Sequence, residues 1–176
     1  GPASAASQAP ALPAHPTDAQ RPLLTDEQLA HLPANHPLRA GTTADSPMLR
    51  ALTGRPSSHR PVWFMRQAGR SLPEYRQVRE GIPMLDACLT PDLAAEITVQ
   101  PVRRHKVDAG IFFSDIVIPM KLAGVNVDIV PGKGPVLDQP VRPLDEVRAL
   151  PELKDSDLDP IREAVAATVE MLGDTP

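Results

Sequence analysis

Five consecutive residues, Ala109-Gly110-Ile111-Phe112-Phe113, carry no polar side chain. A run this short and this apolar reads as a strand buried on both faces, which helices must cover. It ends at Ser114-Asp115, and Ile116-Val117-Ile118-Pro119 follows. A carboxylate among apolar neighbours is costly to desolvate unless it is bonded. Asp115 therefore either caps the next turn or serves a site, and spacing leaves both readings open.

A second apolar run, Val62-Trp63-Phe64-Met65, follows Pro61 and stops at Arg66-Gln67-Ala68-Gly69-Arg70. Ser71 and Pro73 then mark a helix start. The order strand, basic loop, helix puts two guanidinium forks at the carboxyl end of a strand. Barrels and open α/β sheets hold their ligands at that end. Two such forks around a glycine suit a ligand with several carboxylates or phosphates, whereas a solvated basic face is the plain alternative. Asp115 falls at the same end of its own strand, so Arg66, Arg70 and Asp115 are expected to converge.

Prolines and caps punctuate the helices. Ser46-Pro47 opens one that Gly54 stops, Pro73 opens one that Gly81 stops, and Ile82 to Cys88 add a turn or two. Thr90-Pro91-Asp92 starts the clearest helix, with Pro101 inside it and Arg103-Arg104-His105-Lys106 at its end. Four cations there complement the dipole better than they make a nucleic-acid patch. The last helix runs from Asp159-Pro160 to Leu172, with Ile161, Val165, Thr168, Val169 and Leu172 on one face. Val125 to Val130 alternates as a half-exposed strand, and Pro131-Gly132-Lys133-Gly134-Pro135 lacks the pattern of a phosphate loop, so it reads as a turn. Alternating strands and helices give an α/β fold with parallel strands and outer helices.

Composition narrows the classes. Of 176 residues, 22 are proline, well above the usual 5% or so, and many fall early among Ala, Ser, Gln and Thr. Residues 1–42 read as a disordered Pro/Ala-rich tail, with a brief helical signal at Thr25, whose capping-box partner is Gln28. Residues 43–176 form the folded part. His15, His31 and His36 are too sparse for a metal site. Lys+Arg 18 against Asp+Glu 22 gives no basic excess, so no nucleic acid is expected. No apolar run reaches the roughly 20 residues of a membrane span, and no signal peptide is visible, which points to a cytoplasmic protein. The lone Cys88 reads as a buried helical thiol rather than a nucleophile, having no evident base.

Trp63-Phe64-Met65-Arg66-Gln67-Ala68-Gly69-Arg70 with Leu72-Pro73-Glu74-Tyr75-Arg76 resembles the N-terminal signature of the uroporphyrinogen decarboxylase family. Phe113-Ser114-Asp115-Ile116, Gln100-Pro101 with Arg103-Arg104, and residues 130–135 extend the likeness to the C-terminus. The resemblance implies a (β/α)8 barrel, usually homodimeric, that needs no metal or organic cofactor. It implies removal of the acetate carboxyl groups of uroporphyrinogen III to give coproporphyrinogen III in haem synthesis. Arg66 and Arg70 would hold substrate carboxylates, and Gln67, Ala68 and Gly69 would line the same loop. Asp115 would accept pyrrole N–H groups and stabilise the cation formed when a pyrrole carbon is protonated. Met84 stands where the family often has Phe, and Ser71 where it usually has Tyr.

A complete barrel needs about 250 residues. The chain is therefore expected to be the N-terminal part of a longer enzyme, partnered by the missing C-terminal half of the barrel. Two rivals stay in view: a related barrel methyltransferase holding zinc through later strands, and a half barrel that binds tetrapyrroles without turnover.

Overall fold

The computed structural model describes residues 25–34, 36–65, 69 and 71–176. Thr25 caps a first helix, α1 (Asp26–Ala30), through the expected reciprocal bonds with Gln28. A short α2 (Pro37–Ala40) follows. Part of the segment expected as tail is therefore helical; residues 1–24 lie outside the described residues.

α3 (Pro47–Leu52) starts as expected, with the Ser46 hydroxyl accepting the Leu49 N–H. Next come α4 (Pro73–Arg79), α5 (Met84–Cys88) and the long α6 (Pro91–His105). Proline sits in the first turn of α3, α4 and α6, where its fixed φ favours the helix and its missing N–H is not needed. Thr90 occupies the N-cap position of α6, but its hydroxyl donates to the Asp86 carbonyl instead of capping. α6 continues through the buried Pro101 and ends at Lys106, whose φ is 54°.

Beyond Asp115 lie α7 (Ile118–Leu122), β1 (Val127–Val130), β2 (Gly134–Leu137) and α8 (Leu144–Arg148). A 3-10 turn (Asp155–Leu158) leads into α9 (Asp159–Leu172). The turn reading of residues 131–135 is borne out: Lys133 donates to the Val130 carbonyl, and β1 and β2 pair as a hairpin.

The parallel strands do not appear among the described residues. β1 and β2 pair antiparallel, with Val127 opposite Leu137 and Val130 opposite Gly134. Residues 61–64 and 110–113 carry no regular secondary structure, with a turn at Met65 and a bend at Ala109, and neither stretch joins a ladder. The reason lies in where their backbone donors go. The Asp108 N–H takes the Val62 carbonyl, but the Gly110 N–H goes to the Pro176 carbonyl and the Phe113 N–H to the Thr98 hydroxyl. At Gly110 and Phe113, therefore, the N–H groups go to Pro176 and to α6, and these two donors make no strand pairing.

The core forms where α4, α5 and α6 meet the 109–113 segment and α9. Leu72, Tyr75, Leu85, Cys88, Ala94, Ile97, Phe113, Ile118, Val127 and Ala164 are all buried there. α6 and α9 make the most extensive helix pair. The buried face of α9 is set by Ala164 and Thr168; Val165, expected to point inward, is exposed. Small side chains let the two helices approach, and a valine in place of Ala164 would hold them apart.

Candidate functional site

Asp115 closes the extended run that Phe113 anchors in the core. Its Oδ1 accepts the Val117 N–H at 3.0 Å, and its carbonyl accepts the Ile118 N–H at 3.1 Å. The side chain thus caps the turn that enters α7, the first of the two readings open in the sequence. A carboxylate has four lone-pair directions, so one such bond leaves acceptor capacity on Asp115 for another donor.

Behind Asp115 lies Cys88 on α5, fully buried. Its thiol is pushed up to about 11, chiefly by burial, next by the negative charge of Asp115, and partly offset by the positive charge of Arg79. Asp115 and Arg79 therefore both act on the same buried sulfur. This agrees with the expectation of an inert structural thiol.

Arg79 is the polar residue that the sequence did not single out. It lies one turn after Tyr75 on α4, and its guanidinium sits over the Tyr75 ring at 5.5 Å. Nη1 donates to the Tyr75 hydroxyl at 2.5 Å and Nη2 to the Ile82 carbonyl at 3.2 Å. Nε is buried and has no hydrogen-bond partner among the described residues. Tyr75 in turn meets Phe113 edge to face, with centroids 6.3 Å apart. An aromatic and an arginine four residues apart share a helix face, and that i, i+4 pair was the signal available.

Met84, expected as a lining residue, starts α5 and packs half-buried against the core. Gly69 is half-buried, and its carbonyl accepts the Leu72 N–H at 3.2 Å. Arg66, Gln67, Ala68 and Arg70 lie outside the described residues, so their expected convergence with Asp115 is not part of this geometry. What the fold does bring together is Asp115, Arg79 and Cys88, with Tyr75 and Phe113 packed beside them.

Large apolar side chains stand exposed on either side of this cluster in sequence. Trp63, Phe64 and Met65 precede the basic stretch, and Ile116, next to Asp115, is 91% exposed. Two clefts lie elsewhere. One of about 830 Å³ runs along α9 past Pro33 and His36, where Arg162 is already paired with Asp155 and Asp159. The other, about 510 Å³, separates the hairpin from α8. No helix among the described residues is long and apolar enough to cross a membrane.

Comparison with known proteins gives one consistent result. Residues 43–176 match the family model described as uroporphyrinogen decarboxylase (URO-D). A protein of that name from Arthrobacter sp. (strain FB24) is 69% identical over 136 residues, which is 77% of this chain and 39% of the relative. Its namesakes from Saccharopolyspora erythraea and Nocardia farcinica are 60% and 58% identical, each covering 37% of the relative. The chain thus spans well under half the length of these relatives.

Proposed function

Because the chain belongs to the uroporphyrinogen decarboxylase family, we propose that it supplies the N-terminal part of a cytoplasmic enzyme that removes the acetate carboxyl groups of uroporphyrinogen III, giving coproporphyrinogen III in tetrapyrrole and haem synthesis. The observation that carries the reading to a residue is the setting of Asp115. It is an anion at the end of a core-anchored segment, held by the Val117 N–H and with acceptor capacity to spare.

The chemistry calls for such an anion. When a carbon of one pyrrole is protonated, the ring becomes a cation. The bond between the acetate methylene and its carboxyl carbon then breaks, CO2 leaves, and the electron pair neutralises the ring. A second proton at the methylene completes the methyl group, and loss of the first proton from the ring carbon restores the neutral pyrrole, so that one proton is taken up for each CO2 released. A fixed carboxylate that accepts the pyrrole N–H groups stabilises the cationic stage, because its dipolar surroundings need no reorganisation. The ring is its own electron sink, so the proposal includes no metal and no organic cofactor.

Arg66 and Arg70 are assigned to the substrate's carboxylates, with Gln67, Ala68 and Gly69 lining the same stretch and Met84 filling apolar volume at the wall. Arginine suits this task because its planar fork pairs bidentately with a carboxylate and stays charged. The exposed Trp63, Phe64, Met65 and Ile116 support a further element of the reading: later strands of a (β/α)8 barrel cover them, and the complete enzyme pairs as a homodimer.

The test is turnover of uroporphyrinogen III by the full-length enzyme carrying these residues. Asp115→Asn keeps the shape and the Val117 bond but removes the charge, and is expected to lower turnover by about 10²-fold or more with the unfolding midpoint unchanged. Near-normal turnover would overturn the role given to Asp115. Tight binding of uroporphyrin without any turnover in the wild type would point instead to a binding module.

A further inference from the structure

One residue fastens the Val62 segment to the segment that leads to Asp115. The Asp108 N–H donates to the Val62 carbonyl at 2.8 Å, and the Val62 N–H donates back to Asp108 Oδ2 at 2.8 Å. The other carboxylate oxygen, Oδ1, lies 2.7 Å from His59 Nε2, and His59 Nδ1 lies 3.1 Å from the Ser58 hydroxyl. The Asp108 side chain is only 12% exposed, while His59 is largely in solvent. Both backbone polar groups of Val62 are thus held by a single residue, and the carboxylate that holds one of them is itself steadied by an imidazole.

We infer that Asp108 is a positioning residue: it fixes residues 62–65 against the segment that ends at Asp115, and His59 orients the carboxylate that does so. Trp63 and Met65, on either side of Phe64, are 45% and 75% exposed, so burial contributes weakly to the placement of these two side chains. A pair of reciprocal backbone bonds is one rung of a sheet, and here a side-chain oxygen takes the place of one carbonyl. The rung sits seven residues before Asp115. A shift at Val62 moves residues 62–65 relative to the segment that ends at Asp115, so Asp108 acts on the site without touching substrate. This functional consequence rests on the decarboxylase reading; the placement of residues 62–65 does not.

Trp63 is the chain's single tryptophan and adjoins the rung, so its fluorescence reports on it directly. Asp108→Ala removes both carboxylate bonds, whereas Asp108→Asn still accepts from Val62 and donates to a neutral His59. Acrylamide quenching of Trp63 is expected to rise about twofold in the alanine variant, with far-ultraviolet circular dichroism unchanged, and to stay near wild type in the asparagine variant. Unchanged quenching in Asp108→Ala would overturn the inference. Should that variant fail to fold, His59→Ala against His59→Gln decides: a rise in the first alone supports the inference, and no rise in either overturns it. Affinity for uroporphyrin, an octacarboxylate, is expected to fall about tenfold in Asp108→Ala. If the wild type does not bind uroporphyrin, the decarboxylase reading fails and the Trp63 result still judges the rung.

Discussion

The Thr98 hydroxyl on α6 accepts the Phe113 N–H at 2.9 Å and donates to the Ala94 carbonyl at 2.7 Å, all inside the core. One hydroxyl thus ties an extended segment, which has no strand partner at that point, to the longest helix. Thr98→Val keeps the volume but strands a buried N–H, which costs about 1–3 kcal/mol. Thr98→Ser keeps the bond and loses only a methyl, about 1 kcal/mol. Urea unfolding should therefore rank valine as the more damaging change, although it is the closer match in shape. The opposite ranking would mean that packing, not the bond, holds the segment.

Gly110 is needed for space and not for its backbone angles. A Cβ there would meet the two Leu172 methyls at 3.1 and 3.3 Å and Val102 at 3.7 Å. Leu172 lies at the end of α9 and can give way slightly, so Gly110→Ala should destabilise by about 1–2 kcal/mol without abolishing folding. Pairing it with Leu172→Ala should recover part of the loss in a double-mutant cycle. Simple additivity would argue that the contact is not the cause.

Cys88 makes stability fall in alkali. Its thiol titrates at about 11 in the folded chain against an ordinary value of 9.0. Between those values the unfolded chain has released the proton that the folded chain still holds. The contribution is whole below pH 9.0 and is lost as pH rises through about 11, amounting to roughly 2–3 kcal/mol. Cys88→Ser removes this titration, so its unfolding free energy should decline less over that range than that of the wild type.

The same thiol tests its neighbours. The charge of Asp115 raises the Cys88 pKa, and that of Arg79 lowers it. Asp115→Asn should therefore bring the thiol down, and Arg79→Gln should push it up. Ultraviolet thiolate absorbance against pH measures both shifts without any assay of turnover. Movement of both in one direction would refute the neighbourhood drawn around Asp115.

The helix starts at Pro47, Pro73 and Pro91 were legible because proline fixes φ wherever it stands. The stops at Gly54, Gly81 and Gly173 were legible for a related reason, since all three adopt φ near +60° to +70° that other residues resist. Pairing was not legible. The apolar run at 109–113 announces burial on both faces but not which acceptors take its N–H groups; for Phe113 it is a hydroxyl and for Gly110 the Pro176 carbonyl. On α9, Thr168 lies buried and Ile161 packs against the core as expected, and only Val165 was misplaced. Hydrophobicity favours Val165, yet close approach to α6 favours Ala164 and Thr168, and the closer packing wins. At the site, an aspartate between apolar runs drew attention to Asp115. Arg79 stayed hidden because its burial depends on a tyrosine ring that Phe113 helps to hold.

The single, fully buried cysteine has a practical consequence. A second cysteine introduced at an exposed position, such as Lys133 at the hairpin tip, would be the kinetically accessible thiol, and a dye or spin label would attach there while Cys88 stays untouched. Paired with the native indole of Trp63, such a label turns the unmodified interior into a ready background for distance measurements. Closure of further chain over residues 62–65 could then be followed in solution without first deleting a native residue.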